Sequence, residues 1–439
     1  MYLPFLQSVM FSCFVLVSTT IAFAQAPPEL VSTPLQSYLA LPDSVFGWKL
    51  NDKIDHAMGT IYDIELMSQA WMDITWKHVL MVYEPARMTH KDHVLLFITG
   101  GAHLNKPNDG DKLLAMMLAQ NCGARVAMLH QVPNQPLLGG RTEDDLITDT
   151  FLFHLATGDK RWPLLFPMVK SAVRAMDCIE QLAAKEWGSI VKGFVVTGAS
   201  KRGWTTWLTG ASDKRVIGIA PIVIDTLNFP RQMKYQLETW GKYSEQILDY
   251  ERKGLIDRLK NDPNVPLWQW VDPWYYRDQL TIPKLIINGT NDRYWTIDAL
   301  NNYWDDLQGP KYIRYIPNAG HNLKGGREGA MLTLAVFFQY VVDGKSMPAM
   351  SWKYENEGDA IQLKIESTTH PTVVRLWTAS SATRDFRESA WTSKSIKEMS
   401  GSYLGVIPKS EQGHVAAFGE MQFNAYGQEY SLTTQIRRE

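Results

Sequence analysis

The sequence predicts an α/β fold built on a mostly parallel, doubly wound sheet, followed by an all-β C-terminal domain. Three observations carry that expectation. Runs such as "HVLLFITGG" and "VKGFVVTGAS" are short and almost continuously apolar, the pattern of strands buried on both faces. Segments with helical spacing separate them, and that alternation marks a parallel sheet covered by helices. From about residue 345 the period changes, and "SWKYENEGDAIQLKIES" and "TVVRLWTASSATRDF" alternate polar with apolar residues, as strands with one buried face do.

In chain order, "GTIYDIELMSQAWMDITWKHVLMVYEP" reads as two β-rich segments around a turn, before the strand "HVLLFITGG". "DKLLAMMLAQNCG" has helical spacing and ends in glycine, as helices often do. The strand "ARVAMLHQVP" follows, then a long crossover containing the helix "FPMVKSAVRAMDCIEQLAAKEW", then the strand "VKGFVVTGAS". A helix is expected from Lys201, then the strands "VIGIAPIVID", "IPKLIINGTND" and "KYIRYIPNAGH". A helix near "TIDALNNYWDDL" and the amphipathic "GREGAMLTLAVFFQYVVDG" complete this part. Residues 226–280 form an insertion in the position of a lid, and "YSEQILDYERKGLIDRLK" within it reads as one amphipathic helix of mixed charge. The expected domains are 25–344 for the α/β part and 345–439 for a β-sandwich of immunoglobulin or fibronectin type.

A composition of 45% hydrophobic and 21% charged residues fits a folded chain. Lys plus Arg total 44 against 46 for Asp plus Glu, which leaves no basic field for a nucleic acid. The uncharged N-terminus closes with Ala22-Phe23-Ala24, so residues 1–24 read as a signal peptide and the chain as exported, to a periplasm or beyond. An n-region without Lys or Arg leaves an uncleaved anchor as the alternative. No later segment is apolar for long enough to enter a membrane stably. Cys122 and Cys178 are expected as buried thiols ahead of a single bridge, and no His or Cys spacing suggests a metal or other cofactor.

Ser200, between a strand and a helix, fits the turn that lifts a hydroxyl out of an α/β-hydrolase sheet. In GxSxG, Arg202 stands where the second glycine belongs, with Gly203 one residue late. The order Ser, Asp, His that this fold uses is met by Asp292 after "LIING" and His321 after "IPNAG", with Asp225 as reserve acid. Donors for an oxyanion are expected from the backbone N–H of Lys201 and from the loop Gly100-Gly101-Ala102, of which Gly101 and Ala102 are the candidates. Glu143, Asp144 and Asp145 follow a strand on the same edge. They suit either a helix N-terminus or the ammonium of a peptide substrate. Trp204, Trp274 and Tyr275 are candidates for stacking on substrate.

"FITGG", "VTGASKRGW", "PIVIDTLN", "PKLIINGTNDRYW" and "PNAGHNL" together resemble the PhoPQ-activated pathogenicity-related protein family, secreted α/β-hydrolase-like proteins. The resemblance implies the Ser200, Asp292, His321 assignment, an exported location and an association with virulence or envelope stress. The elbow is also similar to those of carbohydrate esterases reading Gly, x, Ser, basic, x, Gly, in which the basic residue assists the oxyanion, here Lys201. The expected function is a serine hydrolase of a small-molecule, peptide or glycan ester or amide. The alternative is a binding or signalling protein on the same fold, meeting a protein partner through the β-sandwich.

Overall fold

Hairpin strands with one polar face open a nine-stranded sheet, and unbroken apolar strands complete it. The computed structural model describes residues 1, 33–103, 105–261, 265–410 and 412–439. The segment read as a signal peptide lies outside the described residues. A short helix α1 (Pro34–Leu39) precedes β1 (Gly47–His56), β2 (Gly59–Trp71) and β3 (Ile74–Pro85). Met72 and Asp73, both at positive φ, make the two-residue turn between β2 and β3. Then come β4 (His90–Ile98), α2 (Asp109–Cys122), β5 (Ala124–Leu129), α3 (Glu143–Thr157), α4 (Leu165–Leu182), β6 (Gly193–Ala199), α5 (Lys201–Ser212) and β7 (Val216–Ile222). The insertion holds α6 (Phe229–Trp240), α7 (Leu248–Arg252), α8 (Leu255–Asn261) and α9 (Pro266–Val271). β8 (Lys284–Gly289), β9 (Lys311–Ile316) and α10 (Arg327–Val342) finish the α/β part.

The strands lie in the order β1-β2-β3-β5-β4-β6-β7-β8-β9, with β1 to β3 antiparallel and every pair from β5 to β9 parallel. That order, with helices on both faces, is the α/β-hydrolase fold. Period-two alternation divides each central strand between two cores. Leu95, Val195 and Leu285 face α2 and α10, while Leu96, Val196 and Ile286 face α4 and α5. Each such fully buried side chain contributes roughly 1.5–3 kcal/mol. Gly123, in the left-handed region at φ 60°, caps α2 and turns the chain into β5.

The C-terminal part is two antiparallel sheets. Four strands, β10 (Met350–Glu357), β11 (Ala360–Ser367), β14 (Glu398–Met399) and β15 (Ser402–Pro408), make one; β12 (Val373–Ser381), β13 (Thr392–Ser395), β16 (His414–Ala425), β17 (Gln428–Thr433) and β18 (Arg437–Arg438) make the other. They pack face to face so closely that a Cβ on Gly405 would stand 3.1 Å from Leu376, and one on Gly419 would strike Ile365. Thr33–Glu439 form one compact unit, and core residues of β16 and β17 join those of α10.

Two expected helices differ. Residues 243–260 break into a 3₁₀ turn (Glu245–Ile247), α7 and α8, because Gly254, at φ +71°, leaves the helix between them. "TIDALNNYWDDL" forms two 3₁₀ turns, Ala299–Asn302 and Trp304–Asp306, parted at Tyr303. Strand β1, whose residues are mostly polar, was not expected at all. Cys122 and Cys178 are both buried free thiols, as expected. Among the described residues no helix is long and apolar enough to cross a membrane.

Buried charge concentrates behind the carboxyl ends of β7 and β8. Asp298 pairs with Arg438 at 3.2 Å, with side-chain exposures of 6% and 4%. Arg438 also donates to Tyr235 and Thr239 of α6, so β18 (Arg437–Arg438) holds the insertion. Burial lifts the Asp225 carboxyl to about 7; the charges of Asp292 and Asp298 add to this, and the Tyr303 hydroxyl, 2.5 Å away, opposes it.

Two outcomes follow from these buried charges. Arg438→Ala leaves Asp298 without its cation and is expected to cost about 3–5 kcal/mol, read as a lower urea midpoint. Between pH 3.8 and about 7 the unfolded chain sheds the Asp225 proton that the folded chain keeps, so this group's contribution to stability falls as pH rises through that window. Asp225→Asn removes that slope: its urea midpoint relative to wild type should rise from pH 4 to pH 8, and a constant difference would refute the assignment.

Candidate active site

β6 ends at Ala199 and α5 begins at Lys201, which leaves Ser200 alone in the turn at φ 59°, ψ −129°. A side chain is rarely tolerated there, and the conformation is the strained one that aims a hydroxyl out of the sheet. The Ser200 N–H donates to Ile222 O at 2.9 Å, which ties the turn to β7. Gly198 and Gly203 permit the close crossing of strand and helix: a Cβ on Gly203 would meet Gly198 O at 2.9 Å, and one on Gly198 would meet Arg202 O at 2.7 Å. The late glycine therefore serves the elbow where it stands. Ser200 is half-buried and reaches solvent.

Asp292 follows β8 and His321 follows β9, and the structure brings the two together. His321 Nδ1 lies 2.7 Å from Asp292 Oδ2. A carboxylate only accepts, so Nδ1 carries a proton, and in the neutral imidazole it is Nε2 that holds the lone pair. Asp292 Oδ1 accepts from the Tyr294 N–H at 2.9 Å, which fixes the carboxylate from its other side. His321 Nε2 is buried and has no hydrogen-bond partner among the described residues. Ser200 sits on the same carboxyl edge of the sheet, at the end of β6 with β7 between it and β8, and makes no hydrogen bond to the imidazole. Such bonds often tighten only when substrate is present. The reserve acid, Asp225, bonds to Tyr303 and not to His321.

The paired glycines have separate causes. A Cβ on Gly100 would stand 2.5 Å from the Arg202 guanidinium, whereas Gly101 adopts φ +108° beside open space. Ala102 bridges to Gln135. Lys201 is the first residue of α5, where backbone N–H groups lack acceptors within the helix. Its ammonium is turned away to Glu143 (2.7 Å) and Asp144 (3.3 Å).

The three acids lead α3, and each is met by the protein's own cations. Arg202 grips Glu143 with two hydrogen bonds of 2.8 Å while its Nε donates to Val132 O. Burial alone would raise the Glu143 carboxyl; Arg202 and Lys201 overcome it and hold the group well below the usual carboxylate range. Asp144 accepts from Tyr250 at 3.1 Å and Tyr294 at 3.2 Å. Asp145 pairs with Arg141 and Lys253.

Of the aromatic candidates, Trp204 is 4% exposed, stacks on Phe229 and donates to Val271 O at 2.5 Å. Trp274 donates to Asp306 at 2.7 Å beneath Arg277, and only Tyr275 is exposed. Tyr294, whose ring lies 4.2 Å from that of His321, was not singled out from the sequence. An aromatic two residues after the acid carries no signal of its own. Arg202 did show one, as a charge in the place of a glycine. No group of His, Cys, Asp and Glu among the described residues could hold a metal.

Structures similar to this chain include acetyl xylan esterase 1 from Thermoanaerobacterium sp. (TM-score 0.48, 17% identity, 69% of this chain and 92% of that one). Another is an S-formylglutathione hydrolase from Agrobacterium tumefaciens (TM-score 0.46, 11% identity, 67% and 99%). Autocrine proliferation repressor protein A of Dictyostelium discoideum is 31% identical over 444 residues, covering 92% of this chain and 89% of that protein. Residues 35–387 match the family model of the PhoPQ-activated pathogenicity-related protein, and the chain belongs to that family.

Proposed function

We propose that the protein is a serine hydrolase that cleaves an ester or amide through an acyl-enzyme. The observation that carries this reading is the Asp292–His321 pair, whose second imidazole nitrogen is unpartnered on the same sheet edge as the strained Ser200. Ser200 Oγ attacks the carbonyl carbon as His321 Nε2 takes its proton, and Asp292 stabilises the imidazolium that results. The N–H groups of Gly101 and Lys201, with Ala102 in the same loop, hold the oxyanion. His321 returns the proton to the leaving oxygen or nitrogen, and water, deprotonated by the same imidazole, releases the acid and restores Ser200.

Esters are favoured over peptides with a free N-terminus. Glu143, Asp144 and Asp145 are engaged by Lys201, Arg202, Arg141 and Lys253, which supports a structural use of their charge over an ammonium clamp. Removal of residues 1–24 on export belongs to the proposal and is tested by N-terminal sequencing of the mature protein. A second reading, a signalling protein contacting a partner through its C-terminal sheets, draws support from the Dictyostelium relative, which is named as a repressor of proliferation.

The deciding measurement is labelling by a fluorophosphonate, which reacts at an activated serine. Wild type should label, whereas Ser200→Ala should not; His321→Ala should lower turnover about 10⁴- to 10⁶-fold. A folded wild type that stays unlabelled overturns the enzyme and leaves the signalling reading, in which Ser200→Ala keeps the biological effect.

A further inference from the structure

Tyr294 meets three parts of the site at once. Its ring lies over His321, with centroids 4.2 Å apart and planes 33° from parallel. Its N–H donates to Asp292 Oδ1 at 2.9 Å, which leaves Oδ2 for His321. Its hydroxyl donates to Asp144 Oδ2 at 3.2 Å, and Asp144 Oδ1 takes the Tyr250 hydroxyl of α7 at 3.1 Å and lies 3.3 Å from Lys201 Nζ.

Burial, with the charge of Asp144 next, pushes both phenols up, so Tyr250 and Tyr294 remain protonated donors. Asp144 therefore joins the insertion, the residue after the elbow and the cover of the imidazole through one carboxylate. An aromatic face over an imidazole also favours its protonated form, since the ring quadrupole attracts a cation.

We infer that Tyr294 is a positioning residue for the base: its ring orients His321 and stabilises the imidazolium, and Asp144 tethers that ring to α7 and Lys201. The inference rests on the serine-hydrolase reading for its catalytic meaning. The charged and titratable groups facing Tyr294 and His321 are Asp292, Asp144, Glu143, Lys201 and Tyr250.

The test is an NMR titration of the His321 imidazole in the full chain, run beside the pH profile of fluorophosphonate labelling. Tyr294→Leu should lower the imidazole's proton affinity about 2- to 30-fold, moving the acid limb of labelling to lower pH. Tyr294→Phe keeps the ring without the tether and should fall between Leu and wild type. A His321 midpoint in folded Tyr294→Leu equal to that of wild type overturns the inference. Should Tyr294→Leu fail to fold, Tyr294→Phe decides alone: a midpoint and labelling rate equal to wild type's overturn the tether. Absence of labelling in wild type removes the hydrolase reading separately, because the imidazole titration does not depend on turnover.

Discussion

The backbone conformation of Ser200 is the constraint on which the site depends. A serine at φ 59°, ψ −129° costs of order 1–3 kcal/mol and persists only where its surroundings leave no alternative. Here the surroundings are specific. The Ser200 N–H is spent on β7, its carbonyl accepts the Trp204 N–H at 3.0 Å to start α5, and two glycines let helix and strand cross at contact distance. Relaxing the turn would break the first bond of the helix and open the seam between β6 and β7.

Arg202 secures that turn from the front, and a glycine in its place could not. It is 8% exposed, spans from α5 to Val132 O and Glu143, and passes over Gly100 so closely that a Cβ there would displace the guanidinium from its acceptors. A buried guanidinium needs acceptors and a counter-charge, and the bidentate Glu143 carboxylate with Val132 O supplies both. Glu143 itself stands at φ 51°, held by a hydrogen bond from its N–H to Gln135 at 2.8 Å. Helix α5, the glycine loop and α3 are thereby locked by one ion pair. The same pair occupies Glu143, while Asp144 and Asp145 are met by Lys201, Arg141 and Lys253.

This explains what the sequence could and could not show. The strands were legible because burial on both faces demands continuous apolar runs, and the helix ends because Gly123 takes a conformation that other residues avoid. Ser200, Asp292 and His321 were legible because topology puts all three loops on one edge. β1 was not, since an edge strand with one covered face needs few apolar residues. Nor was Tyr294: its importance comes from what a distant helix places opposite its hydroxyl, and local sequence carries no trace of that. For Glu143 to Asp145 the sequence offered a helix N-terminus or an ammonium clamp; they do lead α3, but their pairing across 58 residues, from Glu143 to Lys201, leaves no periodic mark.

The C-terminal sheets are part of the same apparatus. Asn291, beside the acid, donates to Arg387 O at 3.1 Å and Ser389 O at 2.8 Å. Asn318, ahead of the base, exchanges two bonds with the Trp391 backbone at 2.9 and 2.7 Å. Glu245 of the insertion reaches Arg387 at 2.8 Å and Arg293 at 2.6 Å. One short segment, 387–391, thus braces the loops that carry Asp292 and His321 and ties Glu245 of the insertion to the same place. Within the α/β part the two loops already hold each other, through the Asn291 N–H to Ala319 O at 2.9 Å and the Asn318 N–H to the Thr290 hydroxyl at 2.9 Å. A chain that ended there would lose the outer brace, leaving the Asn291 side-chain NH₂ and the Asn318 amide without these acceptors and donors. The span that matches the family ends at residue 387, while the contacts of Ser389 and Trp391 lie beyond it, so the support for the site continues past the part that defines the family.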